Sequence, residues 1–381
     1  MVYLDHNAIT PMRPEAIAAV RAALDVFGNP SSVHAAGRAA RDLLDTARGQ
    51  VAAALGARAS EVVFTSGATE SAAIAIRGVL GAARAQPSPR DELVITSVEH
   101  PCVATLAKLL AAEGTPVHVV PVDREGLPDL AFAERVIGPR TALVCAMRAN
   151  NETGVLLPVQ RLFALAREQG ALSFCDAVQA VGKIEVDVRT LGADLVALTG
   201  QKFGGPRGAG ALWVKDGLRL TPLLGGSQER GRRAGTENLP GIAGLGAAIE
   251  AACGRHGQEE PRLARLRDRL ERGLLEAFPG ARANGAGAPR LPSTSSVTFP
   301  GVDAEALLMA LDLEGICASA GSACHSGSST PSSVLTAMGL TAAEARGTLR
   351  LSLGWLSADL DVDRALEAIP RLARQVAAAL S

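Results

Sequence analysis

Aromatic side chains are scarce in this chain, with eight Phe, two Trp and one Tyr among 381 residues. That scarcity excludes RNA binders that stack bases on aromatic rings. An excess of one charge is also missing. The 38 Lys and Arg against 39 Asp and Glu leave a net −1, so no basic surplus points to nucleic acid or an anionic membrane. No apolar run reaches the roughly 18 residues that a membrane span needs. The N-terminus, MVYLDHNAITP, lacks the basic head and apolar stretch of a secretory signal. Six cysteines, at 102, 145, 175, 253, 317 and 324, include no C-x-x-C pair, which argues for free thiols rather than a disulfide framework or a zinc site. His6, His34, His118 and His256 are scattered and suggest no metal site. Neither a Walker A motif nor a G-x-G-x-x-G after a strand occurs, which weakens nucleotide readings. What is present is a 48% hydrophobic fraction, mostly Ala, Leu and Val, on a chain long enough for two domains with large cores. Disorder is excluded, and a cytoplasmic enzyme is expected.

From about residue 15 to 250, Ala/Leu-rich helical stretches alternate with seven short apolar runs: EVVFTS, DELVITS, PVHVVPV, TALVCAM, ALSFCDA, DLVALTG and GALWV. Strands alternating with helices predict crossover units and a mostly parallel seven-stranded sheet. Several runs end in polar residues, among them Thr65-Ser66-Gly67, Asn150-Asn151, Asp176 and Thr199-Gly200. In open α/β sheets that strand edge is where ligands bind. Beyond residue 252 the pattern changes. Leu263, Leu266, Leu270 and Leu274 recur at helical spacing on a charged helix ending at Pro279-Gly280, followed by the strands STSSVTFPG and TLRLSLGW and a C-terminal amphipathic helix. The expected division is a large α/β domain over 13–252 and a smaller α+β domain made of 1–12 and 253–381.

Lys202 lies among glycines in LTGQKFGGPRGAG. Alone it reads as a surface lysine. Asp176, however, ends a strand two elements earlier, and an acid and a lysine at two strand ends can grip opposite parts of one flat cofactor. A pyridoxal phosphate site needs that pair: lysine for the Schiff base, carboxylate for the pyridinium nitrogen. Thr65-Ser66-Gly67-Ala68-Thr69-Glu70 joins a strand to a helix and reads equally as a plain N-cap turn or as a phosphate cradle; beside Lys202 and Asp176, the cradle is favoured. Cys145 and Cys175 sit in apolar runs and read as small buried hydrophobes. Cys324 sits in SAGSACHSGSSTPSS, the most loop-like stretch of the chain.

These segments resemble the cysteine desulfurases of the NifS/IscS type, class V aminotransferase-like enzymes of the fold-type I pyridoxal phosphate group. The similar segments are YLDHNAITP, FGNPSSVH, FTSGATES, EHPCV, NNETG, CDAVQAVGK, TGQKFGGPRGAG, GGSQERGRRAGTEN, GSACHSGSSTPSSVL and TLRLSLG, in order from residue 3 to 354. The resemblance implies that Lys202 carries pyridoxal 5′-phosphate, that Asp176 pairs with its ring nitrogen, and that Gln179 bonds its phenolic oxygen. It implies His100 stacked on the ring with Asn151 at its edge, and Ala68, Thr69, Thr199 and Gln201 at the phosphate. Thr236 would complete the phosphate site of a partner in a homodimer, with Arg230, Arg232 and Arg233 on the same side. Arg350, helped by Asn151, would bind the carboxylate of L-cysteine, and Cys324 would accept the sulfur as a persulfide, with alanine released. Thiolate attack on sulfur needs access and a depressed pKa, and the glycine- and serine-rich loop supplies the access. A sulfur-acceptor or iron–sulfur scaffold protein is the implied further partner.

The sequence departs from that pattern at four positions. Gln201 stands where the family has a histidine, and an amide can donate to phosphate but cannot titrate near pH 7. His6 and Ile9 replace asparagine and threonine, and His325 replaces the threonine after the catalytic cysteine; all are expected at the substrate mouth. The competing readings are a selenocysteine lyase on the same scaffold, an aminotransferase-like enzyme without need of Cys324, and an inactive scaffold protein. The last is opposed by the presence of lysine, aspartate, arginine and cysteine together.

Overall fold

The computed structural model describes residues 1–321 and 331–380. The chain enters through strand β1 (Val2–Tyr3) and two helices, α1 (Pro14–Leu24) and α2 (Ala35–Leu55). Then come β2 (Val62–Thr65), α3 (Ala68–Arg84), β3 (Glu92–Thr96), α4 (Pro101–Ala112), β4 (Val117–Val120) and α5 (Leu130–Val136). The alternation continues with β5 (Thr141–Met147), α6 (Val159–Glu168), β6 (Leu172–Asp176), the short α7 (Val188–Leu191), β7 (Leu195–Thr199) and β8 (Gly210–Val214), and α8 (Leu239–Cys253) closes this part. The rest comprises α9 (His256–Ala277), β9 (Arg282–Ala283), β10 (Thr294–Thr298), α10 (Ala304–Leu313) and β11 (Ile316–Cys317). It ends with α11 (Ser333–Ala337), α12 (Ala342–Arg346), β12 (Thr348–Ser352) and α13 (Asp359–Leu380).

The seven predicted strands form one sheet in the order β2-β8-β7-β6-β5-β3-β4, parallel except that β8 runs against both of its neighbours. Because β8 reverses twice, β2 points the same way as β7, and the C-terminal ends of β2, β3, β5, β6 and β7 share one edge. Every residue of β5 is buried, as expected for a parallel strand covered on both faces. Leu143 and Cys145 pack with α3 and α4 on one face, whereas Val144 and Ala146 pack with α2, α6 and α8 on the other. The two-residue period of a strand produces this division. In α2, Ala40, Leu44, Ala47, Val51 and Leu55 form the buried stripe. His34 accepts the Gly37 N–H at its start, and Gly56, at φ 65°, ends it in the left-handed conformation that glycine adopts at least cost.

A second core gathers Leu263, Leu266, Leu270 and Leu274 of α9 with Val297, Phe299, Leu349, Leu351 and Ile369. The predicted leucine spacing is the buried face of that helix. Val2 and Leu4 belong to this core as well, so the chain starts here and crosses into the first body through residues 5–10. Ala288, Leu291, Val334, Leu335, Met338 and Ala345 pack instead into the core beside the large sheet. The chain beyond residue 252 therefore serves both cores. Among the described residues no helix is long and apolar enough to cross a membrane, and no group of three or more His, Cys, Asp or Glu is arranged to hold a metal ion.

Candidate active site

The polar strand ends converge at the sheet edge. Asp176 is the last residue of β6 and is 5% exposed; its Oδ1 accepts the Val178 N–H at 3.0 Å. Burial pushes its carboxyl pKa up, while His100, that N–H and Lys202 pull it down. A cation against the free side of Asp176 would hold it ionised. His100 precedes α4, and its Nδ1 accepts the Cys102 N–H at 3.2 Å, so Nε2 carries the proton of the neutral ring. Burial lowers its pKa, with Asp176 opposing and Lys202 reinforcing the shift.

Lys202 follows β7, and its Nζ donates to the carbonyls of Asn7 at 2.8 Å and Ala8 at 2.7 Å. Gln179 Nε2 donates to the same Asn7 carbonyl at 3.0 Å. Lysine and glutamine are thereby brought to one point, although they come from different crossover units. Thr199 Oγ1 donates to Gln201 Oε1 at 2.7 Å, so the amide that replaces the expected histidine is tied to the hydroxyl beside it. Ala68 and Thr69 open α3, and their N–H groups lie in the first turn, where a helix supplies no acceptor of its own. Gly67 caps that helix at φ 154°. A Cβ on Gly210 would lie 2.7 Å from the Gly67 Cα, so β8 passes this turn only as glycine. Thr236 is exposed.

Arg350, on β12, is 2% exposed. It donates to Asp5 Oδ1 at 2.7 Å and to the Asn151 carbonyl at 3.2 Å. Its Nε and the Asn151 Oδ1 are buried without a partner, two polar atoms at one place that a bound polar group would satisfy. Cys324 and His325 lie outside the described residues. The described chain on either side of them does reach this corner. Ser319 exchanges backbone hydrogen bonds with Arg350, and Ser332 Oγ donates to Glu152 Oε2 at 2.5 Å.

A family model described as aminotransferase class-V matches residues 2–365. A protein named cysteine desulfurase from Cereibacter sphaeroides is 47% identical over 382 residues, covering 99% of this chain and 97% of its own length. The chain belongs to the cysteine desulfurase family. A solved structure described as a NifS-like protein matches with a TM-score of 0.90 at 32% identity, over 98% of this chain and 99% of that one. A structure described as SspA in complex with cysteine matches with a TM-score of 0.81 at 33% identity, over 93% of this chain and 99% of that one. Cysteine desulfurases use pyridoxal phosphate, and the fold-type I class is that of the matched structures. The curated relatives favour cysteine desulfurase over selenocysteine lyase.

The residues present suit that cofactor. An amine, a carboxylate, an amide donor, a hydroxyl and the N-terminus of a 17-residue helix gather at one sheet edge, matching an aldehyde, a ring nitrogen, a phenolic oxygen and a phosphate.

Four positions carry more of the geometry than sequence reasoning gave them. Asn7 is the hub. Besides its carbonyl, its Nδ2 donates to the Asn151 carbonyl and Thr294 Oγ1, and its N–H donates to Ser352 Oγ. Asp5 orients Arg350, and Lys183 holds Asn7 and Gln179. Glu99, behind His100, accepts from Thr96 Oγ1 at 2.5 Å and the Met147 N–H at 2.9 Å; burial raises its pKa to about 8, with Asp176 adding to the rise. Asp5 and Asn7 stood in the YLDHNAITP segment, and Glu99 beside His100, but nothing in residue type alone assigned them contacts. His6 differs from expectation. It is 2% exposed, bonded to Thr10 Oγ1 at 2.5 Å and pressed against Gly354. Burial, with Lys183 adding, holds its pKa down to about 3. It is a neutral packing residue rather than part of the substrate mouth. Of the three neighbouring arginines, Arg233 pairs with Glu70 at 2.8 Å in the first turn of α3, and Arg230 and Arg232 donate to the carbonyls of Ser60 and Leu218.

Proposed function

We propose that this protein takes the sulfur of L-cysteine onto Cys324 and releases L-alanine, supplying sulfur for iron–sulfur clusters or thio-cofactors. The reading is carried by the convergence of Lys202, Asp176, Gln179 and His100 at one sheet edge with Arg350 facing them. When bound, the cofactor withdraws electron density from the amino acid's Cα, which makes the bond to the β-sulfur breakable. Lys202 anchors the cofactor and, once released by substrate, moves the proton at Cα. Asp176 keeps a proton on the ring nitrogen. His100 would lie against the ring and, neutral, offer its Nε2 proton without adding charge. Arg350 grips the substrate carboxylate through its unpaired Nε and neighbouring N–H groups, with Asn151 beside it. Ala68, Thr69, Thr199 and Gln201 hold the phosphate. The Cys324 thiolate attacks the substrate sulfur: the Cβ–S bond breaks, an S–S bond forms, and the former Cβ takes up a proton to become the methyl of alanine. The thiol proton balances the exchange, and no external oxidant is needed.

Thr236 serves the phosphate of a second copy in a homodimer. Phe27 and Val33, about nine-tenths exposed, sit in the FGNPSSVH segment and provide apolar surface for such a contact. A sulfur acceptor or iron–sulfur scaffold protein receives the persulfide, and the cytoplasm is the compartment of the reaction. The testing experiment is production of alanine and sulfide from L-cysteine by the purified, cofactor-loaded protein under a reducing thiol. Equal amounts of both are expected, and neither from Lys202→Ala. A protein that binds no cofactor, or that loads it and releases no alanine, would refute the reading.

A further inference from the structure

A second lysine lies beside Lys202 and has no part in the chemistry above. Lys183 lies in the turns after β6, and its Nζ reaches back four residues to Gln179 Oε1 at 2.5 Å and across to Asn7 Oδ1 at 2.7 Å. The side chain is half-buried, and its amino group is held between those two amide oxygens. Burial, then the charges of Lys202 and Arg350, push its pKa well below the ordinary lysine value. A lysine that costs this much to bury is expected to serve a purpose its surface replacement would not.

The two amides it touches have their orientations fixed independently. Asn7 Nδ2 donates to a carbonyl and a hydroxyl, so the Asn7 oxygen must face Lys183. Gln179 Nε2 donates to the Asn7 carbonyl, which is only an acceptor, so the Gln179 oxygen must face Lys183 as well. Charged or neutral, the lysine donates to both. Without it, the buried Gln179 oxygen has no donor, and the amide is held only through Nε2 at the Asn7 carbonyl, so it gains by swinging away to find a donor for its oxygen. The orientation matters because of where the other end lies. Gln179 Nε2 and Lys202 Nζ meet at one carbonyl oxygen, at 3.0 and 2.8 Å. In pyridoxal phosphate the phenolic oxygen is on the ring carbon next to the one bearing the aldehyde. A cofactor joined to Lys202 therefore brings that oxygen beside the lysine nitrogen, within the field of Gln179.

We propose that Lys183 is a positioning residue that fixes the Gln179 amide with its donor end toward the phenolic oxygen of the cofactor and, through Asn7, clamps the N-terminal segment over Lys202. The proposal rests on the cofactor reading above. A donor at the phenolic oxygen favours the deprotonated form of the Lys202–cofactor linkage, whose oxygen otherwise relies on the proton of that nitrogen. Losing the donor raises the pH midpoint at which the visible band of the loaded enzyme changes. The charged and titratable groups around Lys183 are Lys202, Arg350 and His6, with Asp176 and His100 beyond Lys202; all remain in the variants below.

The test is a spectroscopic pH titration of cofactor-loaded protein for wild type, Lys183→Met, Gln179→Ala and the double variant. Lys183→Met and Gln179→Ala are each expected to move the midpoint up by about one pH unit, the tenfold that one hydrogen bond to a charged oxygen is worth. The double variant is expected to move it no further than Gln179→Ala alone, because the two residues act as one unit. If Lys183→Met does not fold, Lys183→Leu refills part of the space with a chain that likewise carries no donor, and the same upward shift is expected, again absent in the Gln179→Ala background. An unshifted midpoint in the folded lysine variant, or an equal shift with and without Gln179, overturns the proposal, the second by showing that the lysine acts through its charge alone. A wild-type protein without a visible band would overturn the cofactor reading itself.

Discussion

Arg350→Lys isolates the carboxylate grip from everything else in the site. The guanidinium makes two contacts, to Asp5 Oδ1 at 2.7 Å and the Asn151 carbonyl at 3.2 Å, and keeps a third donor, Nε, buried and unpaired. An unmet buried donor costs about 1–3 kcal/mol, and a substrate carboxylate recovers that cost on binding. Lysine retains the charge and the point contact with Asp5 but has neither Nε nor the planar fork. One lost charge-assisted hydrogen bond is worth about 1.5–3 kcal/mol, which lowers kcat/KM for L-cysteine by about 10- to 100-fold, mostly as a raised KM. The assay is the initial rate of alanine formation against cysteine concentration, with the cofactor's visible band as a control for an intact site. Cysteamine, which lacks the carboxylate, should perturb that band at the same concentration in wild type and variant. An unchanged KM with a reduced kcat, or an equal loss with cysteamine, would refute the carboxylate assignment.

Three further outcomes are expected. Cys324→Ser should load cofactor and bind cysteine normally yet form no persulfide; a persulfide-directed alkylating probe followed by peptide mapping checks this, and a label on Cys102 or Cys317 in wild type would contradict it. Sedimentation of the loaded enzyme should give a two-fold dimer, with Thr236→Ala weakening cofactor retention; a fully active monomer would be incompatible with a shared phosphate site. Glu99, raised from 4.5 to about 8, binds more protons folded than unfolded between those values, so it lowers stability as pH rises through that window, by an amount on the order of several kcal/mol. The neutral isostere Glu99→Gln should therefore lose less Tm than wild type between pH 5 and 8.5, and equal losses would show that Glu99 ionises freely in the fold.

The strands of the large sheet were legible because parallel strands covered on both faces carry continuous apolar runs; TALVCAM is β5 residue for residue. The leucines of α9 were legible for the corresponding reason, a helical period on a charged background. Lys202, Asp176 and His100 could be named because each combines a reactive side chain with a strand end or glycine-rich turn, and local sequence records both features.

Contacts between distant segments left no such record. Asp5 meets Arg350 across 345 positions, and Asn7 meets Gln179, Lys183 and Lys202 across more than 170. In sequence, Lys183 is one more lysine in a turn, and His6 is a histidine in a motif that usually has asparagine. The fold of the second core decided their contacts by carrying the N-terminal strand past the sheet edge and laying residues 7 and 8 against Lys202. Periodicity and turn chemistry reach only a few residues along the chain, so the sequence by itself determined which elements form and which side chains could react. Which of those side chains touch was decided by two cores packing against each other with one extended segment held between them.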